Sequence, residues 1–451
     1  MSLTIEQCLH AEPLSSKQLQ DKTGLSQTVV ARQLRELGKR IIKVSNGRPP
    51  LYALTANAFG ADDNLLICMV DAYGHNTAVA TLRPLAHGGF FVEERVGMPS
   101  LLLGEGKNGI YEDLPYFLYD LRPQGFLGRQ IATGLAKQSA DFPQNPERWN
   151  ANHIGRYLVS NGDDLPGNLK FGQQAYHRVP RKIAATTPDD YPALAESVLA
   201  GEIPGSSAGG EQPKFTTYCG VQSTHVLVKF SPKGDDPIAR RWKDILITEH
   251  YAAETLREAG IAAASETQLI EKEGRLFLES QRFDRSGKNG RLSMLSLQSI
   301  DAEFVGLGEG WFPVIFALHQ ANLISAQHVS ETLYLSLFGL MINNTDMHLG
   351  NLSLGIDGDL FRLLPVYDMC SMGFAPKGGE ATPFQFSLPS ESQLKLSSLD
   401  INDTLEVALD TAGVFWKTTA SDPRISPEFK SFLEKDNPLN QIKQALKPHL
   451  K

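Results

Sequence analysis

The sequence lacks most features that mark a secreted, membrane-bound or zinc-binding protein. No apolar run reaches the roughly 18 residues that a membrane-spanning helix needs. The four cysteines, Cys8, Cys68, Cys219 and Cys370, are scattered without a C-x-x-C pair, which favours reduced thiols over disulfides or a zinc site. The first residues show neither the basic nor the apolar segment of a secretory leader. We therefore expect a cytoplasmic protein without membrane contact.

The composition is that of a globular protein, but its charge is unevenly distributed. With 451 residues the chain is longer than a single hydrophobic core usually accommodates, so two or three domains are expected. Residues 1–55 carry eight Lys or Arg against four Asp or Glu, a net charge of +4. Because the whole chain carries −8, the rest carries −12. A basic head on an acidic body repels nucleic acid everywhere except at the head.

Residues 1–58 are predicted to form a winged helix-turn-helix domain. A first helix is expected from Thr4 to His10, and a second begins after a serine cap at Ser15. A third helix is expected from Gln27 to Leu37, where Ser26 can act as the cap. Two short strands then flank Asn46-Gly47, a strong hairpin signal. Residue types that contact phosphates and base edges lie on the polar face of the third helix and at the hairpin tip: Gln27, Thr28, Arg32, Gln33, Arg35 and Arg48. The pattern favours DNA binding, with a protein-docking or autoinhibitory module as the alternative.

Residues 59–200 predict a mixed α/β domain to which the residues alone assign no chemistry. Apolar runs indicate strands near residues 65–70 and 89–92. Helical patterns follow at 114–123, where proline ends the helix, and at 152–160 and 189–200.

Residues 201–451 carry a pattern typical of a protein-kinase-like site. Asp346 and Asn351 stand in a D-x-x-x-x-N arrangement after an apolar helical stripe. Two predicted strands follow, and the second is expected to end at Asp368. In such a site Asp346 accepts the proton of an incoming hydroxyl, while Asn351 and Asp368 hold Mg²⁺ on the phosphates of ATP. A loop of turn-forming Asn and Asp is the alternative, but it does not explain a second aspartate at a strand end.

The partners expected of such a site precede it in the right order. Lys229 lies within a β-branched strand, and Glu249 follows 20 residues later on a predicted helix, where it can brace the lysine. Glu254 is a weaker candidate for the same role. A glycine-rich stretch before the strand, residues 204–214, can approach phosphates closely. The apolar segment 276–285 falls where kinases place the adenine-binding hinge.

Four ordered motifs resemble the HipA-like serine/threonine kinases of bacterial toxin–antitoxin systems. They are the run from Ser207 to Lys214, Arg282-Phe283-Asp284-Arg285, Thr345-Asp346-x-His348-x-x-Asn351, and Tyr367-Asp368. The resemblance covers about residues 60–440. The fused basic head departs from typical members and is similar to the YjjJ (HipH) branch.

The resemblance implies roles for individual residues. Asp346 is the catalytic base, Lys229 the phosphate-binding lysine, and Asn351 and Asp368 the Mg²⁺ ligands. ATP contacts are implied for Gly209, Gly210, Glu211, Gln212, Pro213, Lys214, Lys229, Gln281, Arg282, Phe283, His348, Asn351, Tyr367 and Asp368. Autophosphorylation is implied at Ser207, with Ser206 as the adjacent alternative. Gln281, where the hinge often has Glu, and Met347 depart from the family pattern.

We therefore predict an α+β, bilobal protein-kinase-like fold over residues 201–451. A HipA-like N-terminal subdomain, residues 59–200, is expected to connect it to the winged helix. The predicted function is ATP-dependent, growth-inhibiting phosphorylation of a protein serine or threonine, with Mg²⁺ as cofactor. The resemblance suggests an aminoacyl-tRNA synthetase as substrate, and a homodimer suits paired DNA half-sites. One alternative is a DNA-binding regulator whose body senses nucleotide, and another is a metal-dependent toxin acting on DNA.

Overall fold

The computed structural model describes residues 3–44, 49–177, 183–201, 212–377, 379–386, 388 and 402–446. The predicted contacts Arg48, Gly209, Gly210 and Glu211 and the predicted phosphorylation sites Ser206 and Ser207 lie outside these residues. Within them, none of the helices combines the length and apolarity that a membrane crossing requires.

The head consists of short helices packed on a small antiparallel sheet of order β1-β3-β2. Its elements are α1 (Ile5–Ala11), β1 (Leu14–Ser15), α2 (Ser16–Thr23), α3 (Gln27–Glu36), β2 (Ile41–Lys43) and β3 (Leu51–Leu54). Ser15 caps α2 as predicted, because its side chain accepts a hydrogen bond from Gln18 N. Ser26 is the N-cap residue of α3 but its side chain makes no capping bond, so that part of the prediction is wrong.

The head is fixed to the next sheet by direct contacts. Backbone hydrogen bonds join Ala86 N to Leu54 O at 2.8 Å and Ala56 N to Pro84 O at 3.0 Å. The Arg83 guanidinium donates to Asp63 Oδ2 at 2.9 Å and to Lys39 O at 3.2 Å. The head and the following region are therefore held in a defined orientation.

The middle region is an antiparallel sheet of order β7-β6-β5-β4-β8 with helices around it. Its elements are β4 (Leu65–Val70), β5 (Asn76–Pro84), β6 (Phe90–Glu94), β7 (Ile110–Tyr111), α4 (Tyr116–Tyr119), α5 (Gly125–Gln138), α6 (Ala151–Asn161), β8 (Leu169–Phe171) and α7 (Gln173–His177).

The small lobe is a sheet of order β12-β13-β11-β10-β9 backed by helices. It comprises β9 (Ala185–Thr186), α8 (Tyr191–Leu199), β10 (Lys214–Cys219), β11 (Thr224–Phe230), α9 (Pro237–Ala259), β12 (Thr267–Lys272) and β13 (Arg275–Gln281). The segment 185–199, predicted to belong to the middle region, packs here instead. β9 pairs with β10, and Tyr191 and Val198 of α8 join the core under the lysine strand β11.

The large lobe is mainly helical and shares one continuous hydrophobic core with the middle region. Its elements are β14 (Arg285–Ser286), β15 (Gly290–Arg291), β16 (Leu295–Ser296), α10 (Leu297–Phe304), α11 (Trp311–Gln320), α12 (Ala326–Met341), β17 (Ser353–Asp357), β18 (Leu360–Leu363), α13 (Asn402–Ser421), α14 (Pro427–Asp436) and α15 (Pro438–Leu446). β18 ends at Leu363, so the predicted strand to Asp368 is too long. Beyond Leu363, Val366 makes only a single bridge to Ala264.

Two helical glycines give a matched test of this packing. A Cβ on Gly155 of α6 would lie 2.3 Å from the Phe59 ring, whereas a Cβ on Gly134 of α5 would meet nothing within 4 Å. Gly155→Ala should lower the free energy of unfolding by about 1–3 kcal/mol through overpacking. Gly134→Ala should raise it by about 0.5–1 kcal/mol through helix propensity. Urea unfolding measures both, and equal effects would contradict the packing described.

Candidate active site

A buried lysine joins three distant parts of the chain at one point. Lys229 Nζ donates to both carboxylate oxygens of Glu249, at 2.6 and 2.7 Å, and to Asp368 Oδ1 at 2.6 Å. Lys229 and Glu249 are only 3% and 5% exposed. The predicted pairing of the strand lysine with Glu249 is thus confirmed. Glu254 is directed elsewhere, since it lies 3.5 Å from His250 Nε2.

The charges at this point stabilise one another. Burial by itself lowers the pKa of Lys229, but the negative charges of Asp368 and Glu249 raise that pKa above its ordinary value, so the amine is charged. Burial acts to raise the pKa of Asp368, yet the cations Lys229 and Lys214 hold it below its usual value. Asp368 is therefore an anion at neutral pH.

Helix α9 aligns the segment that carries Asp368. The Arg241 guanidinium donates to Phe374 O at 2.8 Å and to Thr382 O at 2.9 Å, and it lies 3.5 Å from the centroid of the Phe384 ring. Thr248, the residue before Glu249, accepts a hydrogen bond at Oγ1 from Ser371 N at 3.2 Å. The helix that supplies Glu249 thus also holds the chain beyond Asp368.

Asp368 itself has a strained backbone. Its φ of +53° is in the left-handed region, which is uncommon for residues other than glycine. Such conformations persist only where surrounding contacts enforce them, and they are frequent at functional sites. Here the hydrogen bond from Lys229 is one of those contacts.

The loop after α12 brings Asp346 and Asn351 together. Asn351 Nδ2 donates to Asp346 O at 2.8 Å and lies 3.4 Å from Asp346 Oδ2, and Asn344 Oδ1 accepts from Asp346 N at 3.1 Å. The Asp346 side chain is 49% exposed and lies 3.8 Å from His348 Nε2. A half-exposed carboxylate on a fixed loop is accessible to a large substrate.

A cleft of about 200 Å³ lies between the lobes and contains most of the predicted contacts. Its described lining includes Lys214, Lys229, Gln281, Arg282, Phe283, His348, Asn351, Tyr367 and Asp368. Lys214 pairs in register with Lys229 across β10 and β11, so the two lysines are neighbours. Gln212 and Pro213 precede Lys214 without being part of this lining.

The predicted hinge has a second role that its spacing did not indicate. The Arg282 guanidinium donates to both oxygens of Asp284, at 2.9 and 2.7 Å. Asp284 also accepts from Gly167 N at 2.9 Å and from Arg285 at 2.7 Å. Burial opposes ionisation, but the two arginines hold the pKa of Asp284 well below its usual range. The hinge is therefore anchored to the loop 162–167 of the middle region.

Sequence reasoning missed a wall of the cleft that the middle region supplies. Asp120, Arg122 and Gln124 line the cleft, while Leu121 and Pro123 between them are buried. The alternation of polar and apolar residues after α4 was the available signal. The proline in this run instead suggested only the end of a helix.

The predicted DNA contacts lie on the outer face of α3. Gln27, Thr28, Arg32 and Arg35 are exposed and Gln33 is half-buried. Val30 and Leu34 face the core of the head, as predicted. Arg32 lies 3.7 Å from Glu36, an exposed ion pair of small energetic value.

Comparison with known proteins matches two segments of the chain to family models. Residues 61–180 match the middle domain of YjjJ-like toxins, and residues 206–424 match the HipA-like C-terminal domain. The toxin YjjJ of Escherichia coli (strain K12) is 34% identical over 455 residues, which cover 96% of each chain.

A solved structure shares the fold. It is described as the complex of HipA, HipB and operator DNA of the Shewanella oneidensis MR-1 toxin–antitoxin system. The TM-score is 0.56 at 15% sequence identity, over 84% of this chain and 97% of that one. At this identity the similarity demonstrates a common arrangement of helices and sheets, which agrees with the predicted mixed fold.

Two adjacent arginines of α9 test how the Asp368 segment is held. Arg241→Met removes two hydrogen bonds from a buried guanidinium to backbone carbonyls, those of buried Phe374 and exposed Thr382, and should lower the free energy of unfolding by about 1–3 kcal/mol. Its neighbour Arg240 makes only partly exposed ion pairs, at 3.7 Å to Asp235 and 3.3 Å to Glu428. Arg240→Met should change stability by less than about 1 kcal/mol. Thermal melting compares them, and equally stable variants would contradict this role of Arg241.

Proposed function

The chain belongs to the YjjJ-like toxins with a HipA-like C-terminal domain, and we propose that it is an ATP-dependent kinase that phosphorylates serine or threonine of another protein. The observation that supports this proposal most directly is the buried contact of Lys229 with Glu249 and Asp368. Phosphoryl transfer mainly requires charged groups in fixed positions. Kinases provide these charges with a strand lysine that is paired with a helix glutamate and lies beside a metal-binding aspartate. Growth inhibition by this activity is part of the proposal.

Asp346 is the proposed general base. Its half-exposed carboxylate can reach a hydroxyl on a protein surface. The hydrogen bond donated by Asn351 and the one accepted by Asn344 fix the loop that carries it. Lys229 and Lys214 are proposed to bind the phosphates of ATP. The segment Gln281–Phe283 borders the cleft where the adenine is proposed to lie.

The residues present fit Mg²⁺ with nucleotide oxygens as its remaining ligands. Asn351 and Asp368 offer hard oxygen donors in one cleft. Among the described residues, no group of three or more His, Cys, Asp or Glu is arranged to hold a metal alone. Mg²⁺ is usually bound by one or two carboxylates together with substrate phosphates, so this sparse donor set suits it. When bound, the ion would neutralise charge on the phosphates.

We further propose that the head, residues 1–58, is a winged helix that binds DNA. Its element order, the sheet β1-β3-β2 and the exposed basic face of α3 support this. The protein of the solved complex was crystallised with a separate partner, HipB, and operator DNA. Here the head would supply a DNA contact within the same chain. Regions 59–200 and 201–451 are the proposed middle and catalytic domains, except that the segment 185–199 packs with the catalytic region. The proposed location is the cytoplasm.

Asp346→Asn tests the kinase. Removing the base should abolish transfer from radiolabelled γ-ATP to proteins of a cell extract while ATP binding persists, because Asp346 is outside the lining of the cleft. Asp357→Asn, an exposed residue of the β17–β18 hairpin, is the control and should keep full activity. Full transfer by Asp346→Asn would overturn the proposed base.

The same samples test autophosphorylation and the alternative functions. By intact mass, the wild-type protein should carry phosphate on Ser207 or Ser206, and Asp346→Asn should carry none. A phosphate there adds nearly two negative charges at neutral pH and would repel ATP. Nucleotide binding without transfer would favour a nucleotide-sensing regulator, and metal-dependent cleavage of added plasmid would favour a DNA-acting toxin.

The head is tested by removing two charges from α3. Arg32→Ala with Arg35→Ala should weaken duplex DNA binding by at least about tenfold and flatten its salt dependence, because fewer counterions are released. The control removes the same charge from the middle region, Lys137→Ala with Arg148→Ala, where both side chains are exposed. Gel retardation at several salt concentrations measures both. Equal binding by the two double variants would exclude α3 as the DNA contact.

A further inference from the structure

The cleft is nearly neutral although its proposed ligand is strongly anionic. Its described lining holds the cations Arg122, Lys214, Lys229 and Arg282, and an equal number of aspartates and glutamates. Lys229 is bound by Glu249 and Asp368, and Arg282 by Asp284. A triphosphate therefore meets Lys229 and Arg282 with their charge already largely balanced by the protein.

Arg122 differs from the other cations of the cleft. Within the residues that the structure describes, its guanidinium makes no hydrogen bond and no ion pair; it interacts electrostatically with Asp120, whose carboxylate accepts its hydrogen bond from Ser296 N. It lies over the ring of Tyr119, with Cζ 4.6 Å from the ring centroid. Stacking on an aromatic ring orients a guanidinium while leaving its in-plane donors available for another ligand.

The backbone that carries Arg122 is fixed on both sides. Before it, Asp120 Oδ2 accepts a hydrogen bond from Ser296 N at 2.8 Å, and Leu121 is 2% exposed. After it, Pro123 packs so closely on α5 that a Cβ on Gly128 would lie 2.6 Å from the Pro123 carbonyl carbon. The side chain is thus presented to the cleft by a rigid segment, which reduces the entropy lost on binding.

We propose that Arg122 is a nucleotide-binding residue, supplied by the middle region, that contacts the phosphate chain of ATP; this rests on the proposed function. A guanidinium carries only donors and a permanent charge, so it gains most from phosphate oxygens, which accept two parallel hydrogen bonds. The uncharged adenine and ribose offer it less. The middle region then forms part of the nucleotide site as well as a support for the head.

Equilibrium binding of ATP and of adenosine to the full-length chain, with Mg²⁺ present, tests this. Arg122→Ala should weaken ATP binding about tenfold, the loss of one charge-assisted contact, and leave adenosine binding within about twofold. Arg122→Lys keeps the charge but not the planar fork, so it should bind ATP with intermediate affinity. Arg148→Ala, an exposed arginine of the same region, should match the wild type.

Unchanged ATP affinity in Arg122→Ala would overturn the inference. An equal loss for ATP and adenosine would also overturn it, because the effect would then lie in the nucleoside or in the fold. A wild-type protein that binds ATP through Arg122 but transfers no phosphate would leave the inference standing and remove the proposed kinase activity. A wild-type protein that binds neither ligand would remove both.

Discussion

The architecture depends on the requirement that a buried lysine be neutralised. Lys229 lies inside the small-lobe sheet, and its charge is balanced by Glu249 from α9 and Asp368 from the large lobe. Removing one partner of a buried ion pair leaves an uncompensated charge, which typically costs about 3–5 kcal/mol. The lysine strand, α9 and the chain after β18 must therefore take up mutually consistent positions.

This requirement extends through α9 and the middle region. Arg241 and Asp244 of α9 hold the chain beyond Asp368 and the start of α14, the latter through a hydrogen bond from Ser426 N to Asp244 Oδ1 at 2.8 Å. On the opposite side, Asp284 ties the hinge to Gly167. The cleft is thus built from the two lobes together with the middle region, and all of them share buried contacts.

Local signals in the sequence were sufficient to predict those elements and motifs that depend on residues close together in the chain. The strand 65–70 has the predicted bounds, and the Lys229–Glu249 contact follows from a strand and a helix 20 residues apart. Contacts between distant segments had no such signal. The helix α5, rich in glycine, and the wall at Asp120–Gln124 are specified by tertiary packing, which overrides local propensity. Asp368 has a left-handed backbone instead of the predicted strand conformation for the same reason.

The head and the cleft belong to one chain, in which Arg83 and backbone bonds to Pro84 and Ala86 also dock the head, and this has a consequence for control in the cell. Where a DNA-contacting protein and an effector are separate molecules, their ratio shifts when one is degraded faster than the other. In this chain the head and the cleft are synthesised and degraded together, so their ratio is always one. Any regulation of the cleft by the head must then work through what the molecule binds or how it is modified, and not through relative abundance.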